Sequence, residues 1–98
     1  MKPIDGSFTH IIIGAGSAGC LLANRLSARA DNNVLVLEAG DWDRDFWLKL
    51  PVGYFRSINN PSVSRHFATT PGEGTAGRSI DWPRGKVVGG SSSINGLI

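Results

Sequence analysis

The sequence predicts an α/β fold that opens with a strand–helix–strand unit and continues into a small β-hairpin excursion, incomplete as a doubly wound sheet. Three observations carry this. A strand-like run, Phe8–Ile13, ending in three β-branched isoleucines, leads straight into the glycine turn GAGSAG. Apolar residues at helical spacing follow the turn. A second apolar run, Val34–Leu37, then arrives within about 30 residues of the first, the length of a βαβ unit.

Each element has its reason. Residues 8–13 read Phe, Thr, His, then three isoleucines. Such a continuous run suits a parallel strand covered on both faces. A helix is expected from about Gly16. Its apolar residues Ala18, Leu21, Leu22 and Leu26 share one face, and Asn24, Arg25 and Ser27 take the other. The segment ARADNN stops it, with Asn32 and Asn33 suited to a turn. Residues 34–37 form the second strand, expected parallel to the first through a right-handed crossover.

After Gly40 the pattern changes. The stretch DWDRDFWLKLPVGYFRSINNPS mixes aromatics, charges and two prolines without a sustained period. It reads as an excursion with one short helical turn. RHFATT and RSIDWP, either side of PGEGTAG, read as a β-hairpin with a long loop. The closing RGKVVGGSSSINGLI reads as an extended run, a glycine turn and the opening of a helix. Ser91, Ser92 and Ser93 offer N-cap hydroxyls there. Residues 1–98 thus divide into a βαβ unit at 8–38, an irregular and hairpin region at 41–84, and a glycine–serine motif at 85–98. The chain stops in a helix barely begun, which reads as a cut.

Composition excludes several classes. The 98 residues carry 41% hydrophobic and 18% charged side chains, ordinary for a soluble globular piece of one small domain. Ten basic and eight acidic residues leave a net charge of +2, scattered rather than striped, so no nucleic-acid partner is expected. A single cysteine, Cys20, forbids an intrachain disulfide and fits a cytoplasmic setting. No stretch reaches the roughly 18 apolar residues of a membrane span. The N-terminal apolar run is too short for a secretory leader.

The front motif has mechanical content. In Gly14–x–Gly16–x–x–Gly19 the first glycine turns the chain out of the strand, the second admits a pyrophosphate, and the third lets helix pack on strand. An anion then meets free N–H groups and the positive end of the helix dipole. Glu38 ends the second strand, where a carboxylate accepts from ribose hydroxyls. That charge repels a 2′-phosphate, which disfavours NADP and leaves FAD and NAD. The back motif, Gly89 and Gly90 followed by three serines, reads as a second cradle because Val87, Val88 and Ile94 flank it.

Taken in order, GAGSAG, LEAG, LPVGYF and WPRGKVVGGSSSING resemble the N-terminal part of the glucose–methanol–choline (GMC) oxidoreductases, FAD-dependent alcohol oxidases and dehydrogenases. The resemblance selects FAD and implies a Rossmann-like domain. It implies that Gly14, Gly16, Ser17, Ala18 and Gly19 line the pyrophosphate, that Glu38 takes the adenosine ribose, and that Ala39 lies at the adenine end. Trp82 and Arg84 would lie near the cofactor, and Gly89, Gly90, Ser91, Asn95 and Gly96 would border the phosphates and flavin. A histidine links FAD covalently in some members; its position here is Ile94, so non-covalent FAD is expected. The family's acid–base pair and substrate domain belong to a chain several times longer. No catalytic residue is therefore assigned here, and the alcohol substrate would be met by the missing C-terminal part.

The remaining residues have plainer readings. His10 and His66 are structural. Cys20 is a small buried hydrophobe. Trp42 and Trp47 pack, while Trp82 is divided between packing and the cofactor. Asp41, Asp43, Arg44 and Asp45 form a solvated loop without metal spacing. With two parallel strands alone, apolar faces would stay open, so the 98 residues by themselves should hold FAD poorly or not at all. They read as a segment truncated or split from such an enzyme, with the rest of the split chain as partner; the alternatives are a non-catalytic dinucleotide-binding module working with a partner chain and a non-redox lyase relative.

Overall fold

The structure is a computed structural model and describes residues 5–96. The βαβ unit comprises β1 (His10–Ile13), α1 (Ser17–Ser27) and β2 (Val34–Leu37). β1 pairs parallel with β2, from His10 opposite Val34 to Ile13 opposite Leu37. The first strand is shorter than expected. Before it, Thr9 already spends its N–H and its hydroxyl on the Asn33 carbonyl, which ties the two chain entries together. Asn32 closes the far end of α1 by donating its side-chain amide to Leu26 O at 2.8 Å. α1 sits directly on the turn that launches it: a Cβ on Gly19 would overlap the Gly14 carbonyl.

Past Gly40 the chain is more helical than its sequence suggests. Two 3-10 turns, Phe46–Lys49 and Pro51–Gly53, run into a single α turn, α2 (Tyr54–Ser57), where one helical turn was expected. Asp45 caps the first by accepting the Trp47 N–H at 2.8 Å, and Pro51 starts the second, a position that needs no N–H. The hairpin follows as β3 (Ser64–Ala68) antiparallel to β4 (Asp81–Gly85). β4 starts later than RSIDWP implied, because residues 78–80 belong to the loop around the 3-10 turn Glu73–Thr75. Asp41 then makes a parallel bridge with Val87, and the Val88 N–H donates to Asp41 O at 3.0 Å. Asp41 is thus a joint between the two regions. Asp45 holds Asn60 at 2.8 Å as well as its cap, so neither is merely solvated.

Burial is uneven. The core cluster is Val63, Val87 and Ile94, with Leu48 and Ile58 against it. It lies under the back motif and the root of the hairpin. In the βαβ unit Ile12 and Ala15 are buried, but Ile11 is 60% and Ile13 85% exposed. Leu21 and Leu22 of α1 are also exposed. The expected two-sided cover of β1 is absent among the described residues, since α1 covers one side and nothing covers the other. The Cα radius of gyration, 16.5 Å, exceeds the about 13 Å of a compact domain near this length. No helix among the described residues is long and apolar enough to cross a membrane.

Candidate functional site

The front turn is built from backbone. Gly14 takes φ +95° and donates its N–H to Leu37 O at 2.7 Å, which extends the parallel ladder into the turn. Gly16 caps α1 with no side chain to satisfy the helix, and the first turn holds no acidic residue. The first internal bond is Cys20 N–H to Gly16 O at 2.9 Å. The N–H groups of Ser17, Ala18 and Gly19 therefore stand ahead of the helical ladder, an anion-seeking arrangement. Ser17 and Ala18 are exposed.

Glu38 does more than the sequence suggested. Its Oε2 accepts the Ala15 N–H at 2.7 Å and its Oε1 accepts the Gly40 N–H at 2.9 Å. The carboxylate thus fastens the end of β2 to the front turn. Each oxygen keeps a further lone pair for a hydroxyl donor. Glu38 shares a groove of about 380 Å³ with Ala15, Cys20, Val36, Trp42 and Val88. Two expectations change here. Cys20 is an exposed groove wall whose thiol donates to Ala15 O at 3.2 Å, not a buried hydrophobe. Trp42, read as a packing residue, is 60% exposed and forms another wall. The sequence carried one sign of this: a tryptophan four residues past the strand-end acid, in a stretch with no period to bury it. Ala39 is exposed at the bend and does not line the groove.

The back turn meets the front one. Gly89 and Gly90 take φ +105° and +70°. Gly89 donates its N–H to Ala15 O at 2.7 Å. A Cβ on Gly90 would lie 2.8 Å from the Gly16 Cα, so the two glycine turns touch through bare backbone. The serines are not caps. Gly89 takes that position on the 3-10 turn Gly90–Ile94, because the serine hydroxyls serve their own loop. Ser91 Oγ accepts the Gly85 N–H at 3.0 Å, and Ser92 Oγ donates to Gly89 O at 2.8 Å. The turn ends before Asn95, which is extended, so no helix opens through Asn95. Residues 97 and 98 of this motif lie outside the described residues.

Trp82, Arg84, Ser91, Asn95 and Gly96 line one cavity of about 190 Å³. The Arg84 guanidinium lies 4.8 Å from the centre of the Trp82 ring. Gly96 packs under the Tyr54 ring, where a Cβ would come within 3.2 Å. Ile94 is buried in the core cluster. Trp47 is half-buried beneath Arg56, 4.5 Å from its ring centre, as a packing residue should be. The histidines are occupied: His10 Nδ1 with the Thr9 hydroxyl, His66 with Asp81 and Ile58 O.

The model of the GMC oxidoreductase family matches residues 8–98. An oxygen-dependent choline dehydrogenase of Photobacterium profundum is 46% identical over 95 residues, 97% of this chain and 17% of that protein. The crystal structure of pyridoxine 4-oxidase from Mesorbium loti superposes with a TM-score of 0.84 at 38% identity, over 92% of this chain and 18% of that one. A FAD-dependent oxidoreductase from Chaetomium thermophilum does so with a TM-score of 0.69 at 33% identity, over 92% of this chain and 15% of that one. The chain spans about one sixth of the length of the proteins it matches.

Proposed function

The chain belongs to the GMC oxidoreductase family, and from that premise we propose that it holds FAD, non-covalently, for an enzyme that oxidises an alcohol. One observation carries the reading: the front and back glycine turns meet through Gly16 and Gly90, with the Gly89 N–H on Ala15 O. The Gly14, Ala15, Gly89 and Gly90 N–H groups are spent on holding the turns together, and the bare backbone at the joint leaves the N–H groups at the start of α1 open to a pyrophosphate.

In this reading the N–H groups of Ser17, Ala18 and Gly19 meet the phosphates. Glu38 orients the ribose by accepting from its hydroxyls, with Ala39 at the adenine end and Trp42 as a groove wall. Trp82, Arg84, Ser91, Asn95 and Gly96 border the flavin side. Ile94 offers no nucleophile for a covalent link. Bound FAD would supply a two-electron acceptor for the alcohol's hydride. As the family resemblance implies, the hydroxyl proton would go to a histidine outside these residues; His10 and His66 are engaged in hydrogen bonds of their own. A cytoplasmic setting fits the free thiol of Cys20.

The test grafts this chain in place of the matching segment of the Photobacterium profundum choline dehydrogenase. The graft should keep flavin absorbance and alcohol turnover, while the 98 residues alone should show neither. A folded graft without flavin would overturn the cofactor reading. Stoichiometric flavin on the 98 residues alone would favour a stand-alone binding module.

A further inference from the structure

His66 stands on β3 between two acceptors. Its Nδ1 lies 2.6 Å from Asp81 Oδ2 on β4, and its Nε2 lies 2.7 Å from the carbonyl oxygen of Ile58, just past α2. An ionised carboxylate and a carbonyl can only accept. A neutral imidazole carries one N–H and would turn a lone pair toward one of these oxygens. The imidazolium alone satisfies both contacts. The Ile58 carbonyl first, and the Asp81 carboxylate after it, hold the ring's pKa above its ordinary value.

Few other charges act on the ring. Arg65 and Arg84 face each other at the next register position of the ribbon, so they project from its opposite face. Arg56 of α2 lies over the Trp47 ring. Asp81 is the titratable group turned toward His66 among the described residues.

We propose that His66, as an imidazolium, is a pH-operated staple that fastens the β-ribbon to the end of α2 and so fixes the root of the back glycine turn. The path is short. Ile58 packs on the cluster of Val63, Val87 and Ile94. β4 runs from Asp81 to Gly85, whose N–H bonds to Ser91 Oγ, and the next N–H, of Lys86, bonds to Val63 O at 2.7 Å. A pKa raised on folding makes the staple fully effective below the unfolded value of about 6.5. It is lost as pH rises through the folded value.

Titration of the 98-residue chain by NMR tests this. The chain has two histidines, and His66→Gln assigns their signals. The His66 midpoint should lie above its own value in urea, with both ring nitrogens protonated below it. Asp81→Asn keeps an acceptor but not its charge and should lower the midpoint. Amide protection at Gly85 and Lys86 should fall roughly two- to tenfold, one lost hydrogen bond's worth, as pH crosses the midpoint. In His66→Gln that step should vanish. A midpoint equal to the urea value, an unmoved midpoint in Asp81→Asn, or the same protection step without His66 would each overturn the proposal.

Discussion

The front region, residues 10–37, and the back region, residues 41–96, divide regularity and burial in opposite ways. The front has the longer helix and the parallel strands, yet Ile11, Ile13, Leu21 and Leu22 stand open. The back is a string of short turns and a two-stranded ribbon, yet it owns the core, with Val87 fully buried. Regular structure satisfies backbone hydrogen bonds locally but does not by itself remove apolar surface from water. A βαβ unit needs further layers on its sheet. Turns bent by glycine and proline can fold over one another and bury a small cluster with little chain.

The sharpest way to break this comparison is at the joint. Gly90→Ala adds a Cβ at 2.8 Å from the Gly16 Cα on a residue at φ +70°. Overpacking together with left-handed strain should cost about 2–4 kcal/mol in urea unfolding and remove flavin from the graft. Gly14→Ala has the strained φ but open space around it, and should cost about 1–2 kcal/mol. Equal costs would mean that the turns do not press on each other. The next test trims each region's apolar residues. Val87→Ala should lose about 2 kcal/mol, and Ile13→Ala should stay within about 0.5 kcal/mol. Equal losses would show that the front is covered in solution, for instance by another chain.

The smallest effect lies on the surface of the back region. Lys49, by hydrogen bond and by charge, holds the Asp43 carboxyl below its ordinary value, at 2.9 Å. The sign follows from a depressed folded pKa: the contribution is present above the unfolded value near 4 and fades as pH falls through the folded one. Asp43→Asn should flatten the acid limb of the stability profile only slightly, because the pair is exposed. A large acid shift on this substitution would place the pair in a wider network.

Local signals were legible and long-range ones were not. The bounds of β2, the parallel pairing and the two glycine turns could be read from runs and spacing, because each is written within a few residues. The hairpin was legible as two strands but not in its late start, which depends on Thr69 taking the Ile80 N–H with its side chain and Ser79 donating to Thr69 O. The double use of Glu38, the Asp41–Val87 bridge and the clamp on His66 left no local pattern. Each has at least one contact between groups far apart in the chain, through a carboxylate or carbonyl, and nothing in the neighbouring residues marks that partner. Cys20 and Trp42 were misplaced for a related reason: their types favour burial, and the open face beside Glu38 is a property of the assembled molecule.

The bond from Gly89 to Ala15 O has a kinetic consequence. Among the described residues it joins backbone groups far apart in the chain, so forming it closes a long loop. Pairing between distant segments is slow, and it is favoured only after nearer contacts have drawn the ends together. The βαβ unit and the ribbon can each form before that closure. The glycine joint is then a late product of folding, completed when two preformed turns dock, and the dinucleotide of the proposed function would act as its latch.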